Sequence, residues 1–171
     1  MIQDKLTLYK LIILYMLNQI DFPLTTSQIS EFILEKGYTN YLSLQQSQNE
    51  LIQANLVKTK TIRNRTLLYS TDEGNETLHF FGNRISDAIK ADIAEFFKEK
   101  EIILRTEVSV SADYYKSTTG EYEVRMVARD RDTLLMDLTL SVPDSALALS
   151  ICDNWEKRNQ EIYQYLMEHL L

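Results

Sequence analysis

Four cations, Lys58, Lys60, Arg63 and Arg65, fall within eight residues, with Asn64 between the two arginines. Residues 51–71 contain no acidic side chain, although the chain has a formal net charge of −7. Cations cleared of neighbouring carboxylates suit a polyanion, and the phosphodiester backbone is the leading candidate. Just upstream, Ser43, Gln45, Gln46 and Asn49 place hydroxyl and amide groups at helical spacing. Side-chain amides pair with adenine edges in a major groove, whereas cations hold the backbone without reading sequence. The two groups together predict a surface for double-stranded DNA. The plainer alternative is an amide-rich solvated face beside a solubilising hairpin tip. Residues 38–57 contain no Lys or Arg, so the amide segment brings no cation of its own.

Other chemistry is sparse. His79 and His169 are far apart, and neither has metal-ligand spacing with Cys152 or with carboxylates, so no metal or other cofactor is expected. His79, between Leu78 and Phe80, reads as a helix-packing residue, and Cys152 beside Ile151 as a small core residue. No Gly-rich phosphate loop or nucleophile elbow occurs, and the chain reads as a binding protein rather than an enzyme. Arg105, Glu107, Glu123, Arg125 and Asp137 are expected on one polar sheet face as cross-strand ion pairs, with a small-molecule or partner site there as the alternative.

The elements that must position these residues follow from periodicity. Residues 3–20 form a helix that is apolar nearly all round, and such a helix has more than one neighbour. Thr25 with Gln28 is a capping-box pair opening a helix that buries Ile29, Phe32 and Ile33, and Gly37 ends it. A third helix from about Tyr41 to Asn55 buries Leu44, Leu51 and Ile52 and turns its amides outward. Val57–Ile62 and Thr66–Tyr69 are β-prone around a turn in which Asn64 can take a positive φ. Helix, helix, helix and hairpin in this order are the winged helix-turn-helix pattern. Thr71 caps the next helix, which buries Leu78 and Phe81 and breaks at Gly82-Asn83.

Ser86 starts a further helix, with Ile85, Ile89, Ile93, Phe96 and Phe97 on one side. From Ile102 the apolar period changes to two, predicting a three-stranded antiparallel meander through Val142. A terminal helix from Pro143-Asp144-Ser145 then lays Leu147, Ile151, Trp155, Ile162, Leu166 and Leu170 on the sheet. The expected fold class is α+β: a winged helix over residues 1–84, then an α+β domain over 85–171. Charge divides accordingly, with residues 1–84 neutral and residues 85–171 at −7.

The chain resembles a bacterial family catalogued as domain of unknown function 4364, for which a role in transcriptional regulation is expected. The resemblance rests on the apolar first helix, Leu56-Val57, Tyr69-Ser70-Thr71-Asp72-Glu73-Gly74 and Asn83-Arg84-Ile85. It continues through Ala112-Asp113-Tyr114-Tyr115, Glu121-Tyr122-Glu123-Val124 and Cys152-Asp153-Asn154-Trp155. It implies a winged helix joined to an α/β domain, and it transfers no catalytic or ligand residue.

The functional expectation is a DNA-binding regulator, with a protein–protein adaptor built on the same helices as the alternative. A homodimer through the first helix and residues 85–97 would present two hairpins to a two-fold operator. No apolar run approaches the roughly 18 residues of a membrane span. No signal-peptide cleavage pattern follows Leu11–Leu17, and the lone cysteine fits a reducing compartment, so the expected location is cytoplasmic.

Overall fold

The computed structural model describes residues 2–131 and 133–171. In order these form α1 (Ile2–Asn18), β1 (Leu24–Thr25), α2 (Thr26–Glu35), α3 (Tyr41–Gln53), β2 (Val57–Ile62) and β3 (Arg65–Ser70). There follow α4 (Asp72–Phe81), a single 3-10 turn (Gly82–Arg84), α5 (Asp87–Ser109), β4 (Val110–Lys116), β5 (Tyr122–Asp130), β6 (Thr133–Val142) and α6 (Ser145–Leu170). The chain is thus α+β, with two three-stranded antiparallel sheets ordered β1-β3-β2 and β4-β5-β6. It falls into two compact units. One takes in the described residues up to Thr61 with Arg65–Arg105, and the other Ile62–Asn64 with Thr106–Leu171.

The first unit is organised around α1. Leu11–Leu14, Met16 and Leu17 are all buried, which requires neighbours on several sides of that helix. Ile29, Phe32 and Ile33 of α2 and Leu44 and Leu51 of α3 share its core. The apolar character of α1 is therefore consumed inside its own unit, as are Ile85, Ile93, Phe96 and Phe97. Neither segment keeps those side chains for the homodimer face the sequence suggested.

Local chemistry fixes the helix ends. Thr25 Oγ1 accepts from the Gln28 N–H at 3.0 Å while Gln28 Oε1 accepts from the Thr25 N–H at 2.9 Å, completing the capping box. Such a cap contributes about 1 kcal/mol. Thr25 and Leu24 also pair with Leu67 and Leu68 of β3, so one short segment starts a helix and edges a sheet. Gly37 has φ 70, the left-handed conformation that ends α2 without a Cβ penalty.

Several expectations fail here for identifiable reasons. α5 does not stop near Phe97 but runs to Ser109, so Ile102–Ser109 is helix rather than strand. Ile93, Phe97 and Leu104 keep one helical face buried, while Ile102 is 82% exposed; the apparent alternation at Ile102 and Leu104 is the edge of a 3.6-residue period. Arg105 and Glu107 consequently lie on α5 and not on the sheet. Phe81 and Ile52 are exposed, because Leu78 and Leu51 occupy the core-facing positions of their helices. His79 is exposed as well and packs edge-on with Phe80.

The second unit is the expected meander with one covering helix. Ala112 faces Met126, and Met126 faces Leu138, with a register shift at Ala128/Arg129. Asp144 caps α6, accepting from the Leu147 N–H at 2.8 Å. Ala148, Cys152 and Trp155 are its buried residues, whereas Leu147 and Leu170 are exposed, contrary to expectation. Small side chains at 148 and 152 let the helix backbone approach the sheet, and the Trp155 indole N–H donates to the Val127 carbonyl at 3.3 Å. On the sheet's polar face, Arg125 grips Asp137 through two hydrogen bonds of 2.9 and 2.6 Å, and the Tyr115 hydroxyl donates to Glu123.

Candidate nucleic-acid interface

β2 begins with buried Val57 and then exposes Lys58, Thr59, Lys60 and Thr61. Alternate residues of a strand share a face, so Lys58 and Lys60 project together. The Lys58 ammonium lies 6.0 Å from the Tyr69 ring centroid, a cation–π contact that orders the side chain without neutralising it. Neither lysine is in an ion pair among the described residues. Thr61 and Thr66 hydroxyls, 3.4 Å apart, tie the hairpin near its turn.

The turn itself differs from expectation. Arg63, not Asn64, has the positive φ, at 55°. The Arg63 N–H points to Asp113 at 3.5 Å, its Nη2 donates to Asp153 Oδ1 at 3.1 Å, and Nη1 lies 3.7 Å from Glu156 Oε1. Its side chain is only 18% exposed. A guanidinium already held by two carboxylates has little to offer a phosphate. The reason is one that sequence order hides: the two carboxylates come from α6, at least 90 positions away. Asn64 is exposed and Arg65 half-buried.

α3 is capped by Asn40, whose Oδ1 accepts from the Ser43 N–H at 2.9 Å. Ser43 and Gln45 are half-buried, and Gln46 and Asn49 are exposed. Ser47 and Gln48 face inward, where the Ser47 hydroxyl donates to the Ser43 carbonyl at 2.8 Å. Gln46 Nε2 donates to Glu50 Oε1 at 2.9 Å, and Lys10 Nζ of α1 grips the other Glu50 oxygen at the same distance. The hydrogen bonds from Lys10 and Gln46, with the Lys10 charge, hold the Glu50 carboxyl below its ordinary value of 4.5. This chain of contacts fixes the azimuth of α3 on α1 and orders Gln46.

Sequence reasoning missed the first turn of α3, where Tyr41 and Leu42 are 60% and 78% exposed. Leu44 and Leu51 set the buried face of α3 and leave both outside it. The neighbouring α2–α3 turn is anchored to α5, since Asp92 accepts from the Tyr38 hydroxyl and from Lys36 Nζ, the latter at 3.2 Å. These hydrogen bonds hold the Asp92 carboxyl below its ordinary range, while burial and the Asp92 contact push the Tyr38 phenol up. Cys152 is fully buried, and desolvation raises its thiol, the reverse of an activated nucleophile.

The family model described as domain of unknown function (DUF4364) matches residues 9–170. The chain belongs to this family. The match begins within the first helix and takes in the other segments that carry the resemblance, through the Cys152–Trp155 stretch. No curated protein and no solved structure matches the chain. Among the described residues, no helix is long and apolar enough to cross a membrane.

Proposed function

We propose that this DUF4364 protein is a DNA-binding regulator whose first unit is a winged helix-turn-helix. On this reading α2 and α3 form the helix-turn-helix, the β1-β3-β2 sheet is the wing, and α3 enters the major groove. The observation that supports it best is the exposed Lys58–Lys60 edge, unpaired with any carboxylate among the described residues, in an acid-free window of a chain with net charge −7. Lys58 and Lys60 would bind phosphates, and Gln46 and Asn49, with Gln45 and Ser43 behind them, would meet base edges. Arg63 is not part of this surface. The contribution is modest per contact, since exposed lysine–phosphate pairing gains mainly from released counterions.

Selection of genomic fragments on the full-length protein, followed by mobility shift, tests the reading. Enrichment of a common motif with retention at low salt is the expected result; no retention of any duplex would remove it.

A second reading has one observation in its favour. Tyr41 and Leu42 stand exposed on α3 where a groove-reading helix usually has cations, and aromatic and aliphatic anchors are typical of protein interfaces. A stoichiometric protein partner lost on Leu42→Asp, without DNA retention, would favour that adaptor.

A further inference from the structure

The first unit contains a solvent-open cavity of ≈ 430 Å³ bordered by the end of α1, α4, the 3-10 turn and the first turn of α5, with Asn18, Asn75, His79 and Asn83 exposed at its mouth. That volume suits a small metabolite. Its lining includes Tyr15, Asn18, Asn75, His79, Asn83 and Lys90, with Leu78 as an apolar wall, and contains no Asp or Glu among the described residues. In so acidic a chain, a wall of amides, imidazole and ammonium is a local reversal of character.

Lys90 is the decisive group. It is half-buried and has no carboxylate partner among the described residues, whereas Lys10, Lys36 and Lys100 of the same unit are each paired. Its Nζ lies 5.9 Å from the centroid of the Tyr15 ring. A half-buried lysine without a counter-ion among the described residues favours an anionic guest, because a charge-assisted hydrogen bond is about twice as strong as a neutral one. The amides are oriented to assist. Asn75 Oδ1 accepts from Ser70 Oγ at 2.8 Å and from Asn18 Nδ2 at 3.3 Å. That leaves the Asn75 NH2 group as the donor end, and Asn83 is exposed beside it in the lining.

We propose that this cavity binds a small organic anion through one carboxylate or phosphoryl group. Lys90 and the asparagine amides hold the charged group, and Tyr15 and Leu78 contact the remainder. Ser70 is the last residue of β3, so a ligand on Asn75 sits one hydrogen bond from the base of the hairpin. The inference does not depend on DNA binding, and its test is separate from that reading.

The experiment uses the full chain, isotopically labelled, titrated separately with sodium benzoate and with inorganic phosphate. Concentrations reach about 10 mM, tenfold above a Kd of about 1 mM. The expected result is a saturating change of the Asn75, Asn83 and Lys90 amide resonances with at least one probe. Response to benzoate alone assigns carboxylates, and response to phosphate alone assigns phosphate esters. Lys90→Gln should weaken that binding by about tenfold or more with an unchanged melting temperature. Asn83→Ala supplies the same comparison should Lys90→Gln unfold. No response to either probe, changes confined to Lys58 and Lys60, or equal affinity in the variants would overturn the proposal.

Discussion

Gly74 is the position where one methyl group should do the most damage. It lies in the first turn of α4, and a Cβ built there would fall 2.1 Å from the Leu56 carbonyl oxygen and 3.1 Å from Leu14 Cδ2. The obstacle is backbone, so it cannot rotate away, and α4 must retreat by about 1 Å to restore even a tight contact. The same carbonyl accepts from the Thr71 N–H at 3.2 Å, and Thr71 Oγ1 donates to the Asn55 carbonyl at 2.8 Å. Retreat stretches both bonds, at about 1 kcal/mol each. Overpacking against Leu14 adds about 1–3 kcal/mol, and the better helix propensity of alanine returns at most about 1 kcal/mol. Gly74→Ala should therefore lose about 2–4 kcal/mol, a large share of a typical 5–15 kcal/mol. Urea denaturation followed by circular dichroism measures it. A loss below about 0.5 kcal/mol, the ordinary range of a surface substitution, would refute the reasoning. The close approach, not a special φ, is why a Thr-x-x-Gly sequence joins the hairpin to its following helix.

Arg63 separates backbone from charge. Arg63→Ala and Arg63→Gly both lose Asp153 and Glu156, but only glycine relieves the φ of 55°. The glycine variant should be the more stable by about 1 kcal/mol in urea midpoints, and equal midpoints would show that the turn is unstrained. Glu50 gives a pH dependence of known sign. Its folded carboxyl is depressed, so its stabilisation is present above the unfolded value of 4.5 and is lost as pH falls through the lower folded value. Glu50→Gln should flatten the acid limb of the stability profile, and an unchanged limb would show that the Lys10 contact does not act in solution.

Much of the fold was legible because its signals are local. The Thr25–Gln28 box, the Gly37 terminus, the Thr71 and Asp144 caps and the β4-β5-β6 alternation each depend on residues a few positions apart. What was not legible depends on tertiary neighbours. Arg63 looks like a wing cation until α6 supplies Asp153 and Glu156. Ile102 looks like the start of a strand until Leu104 is seen closing the helical face of α5. α1 looks like an unfilled interface until its own unit surrounds it. Within the candidate site, Lys58, Lys60, Gln46 and Asn49 are exposed as read. The cavity around Lys90 left no linear trace, since its lining is gathered from positions 15 to 90.

The most direct measurement is the salt dependence of duplex binding by the native protein and by the Lys58→Ala/Lys60→Ala variant. Each phosphate contact adds about 0.9 to the slope of log K against log salt concentration. The double variant should therefore bind more weakly at low salt, with a slope shallower by about 1.8, whereas Arg63→Ala should keep the native slope. Identical slopes for the native protein and the double variant, or no duplex binding by either, would contradict the assignment of this edge to DNA.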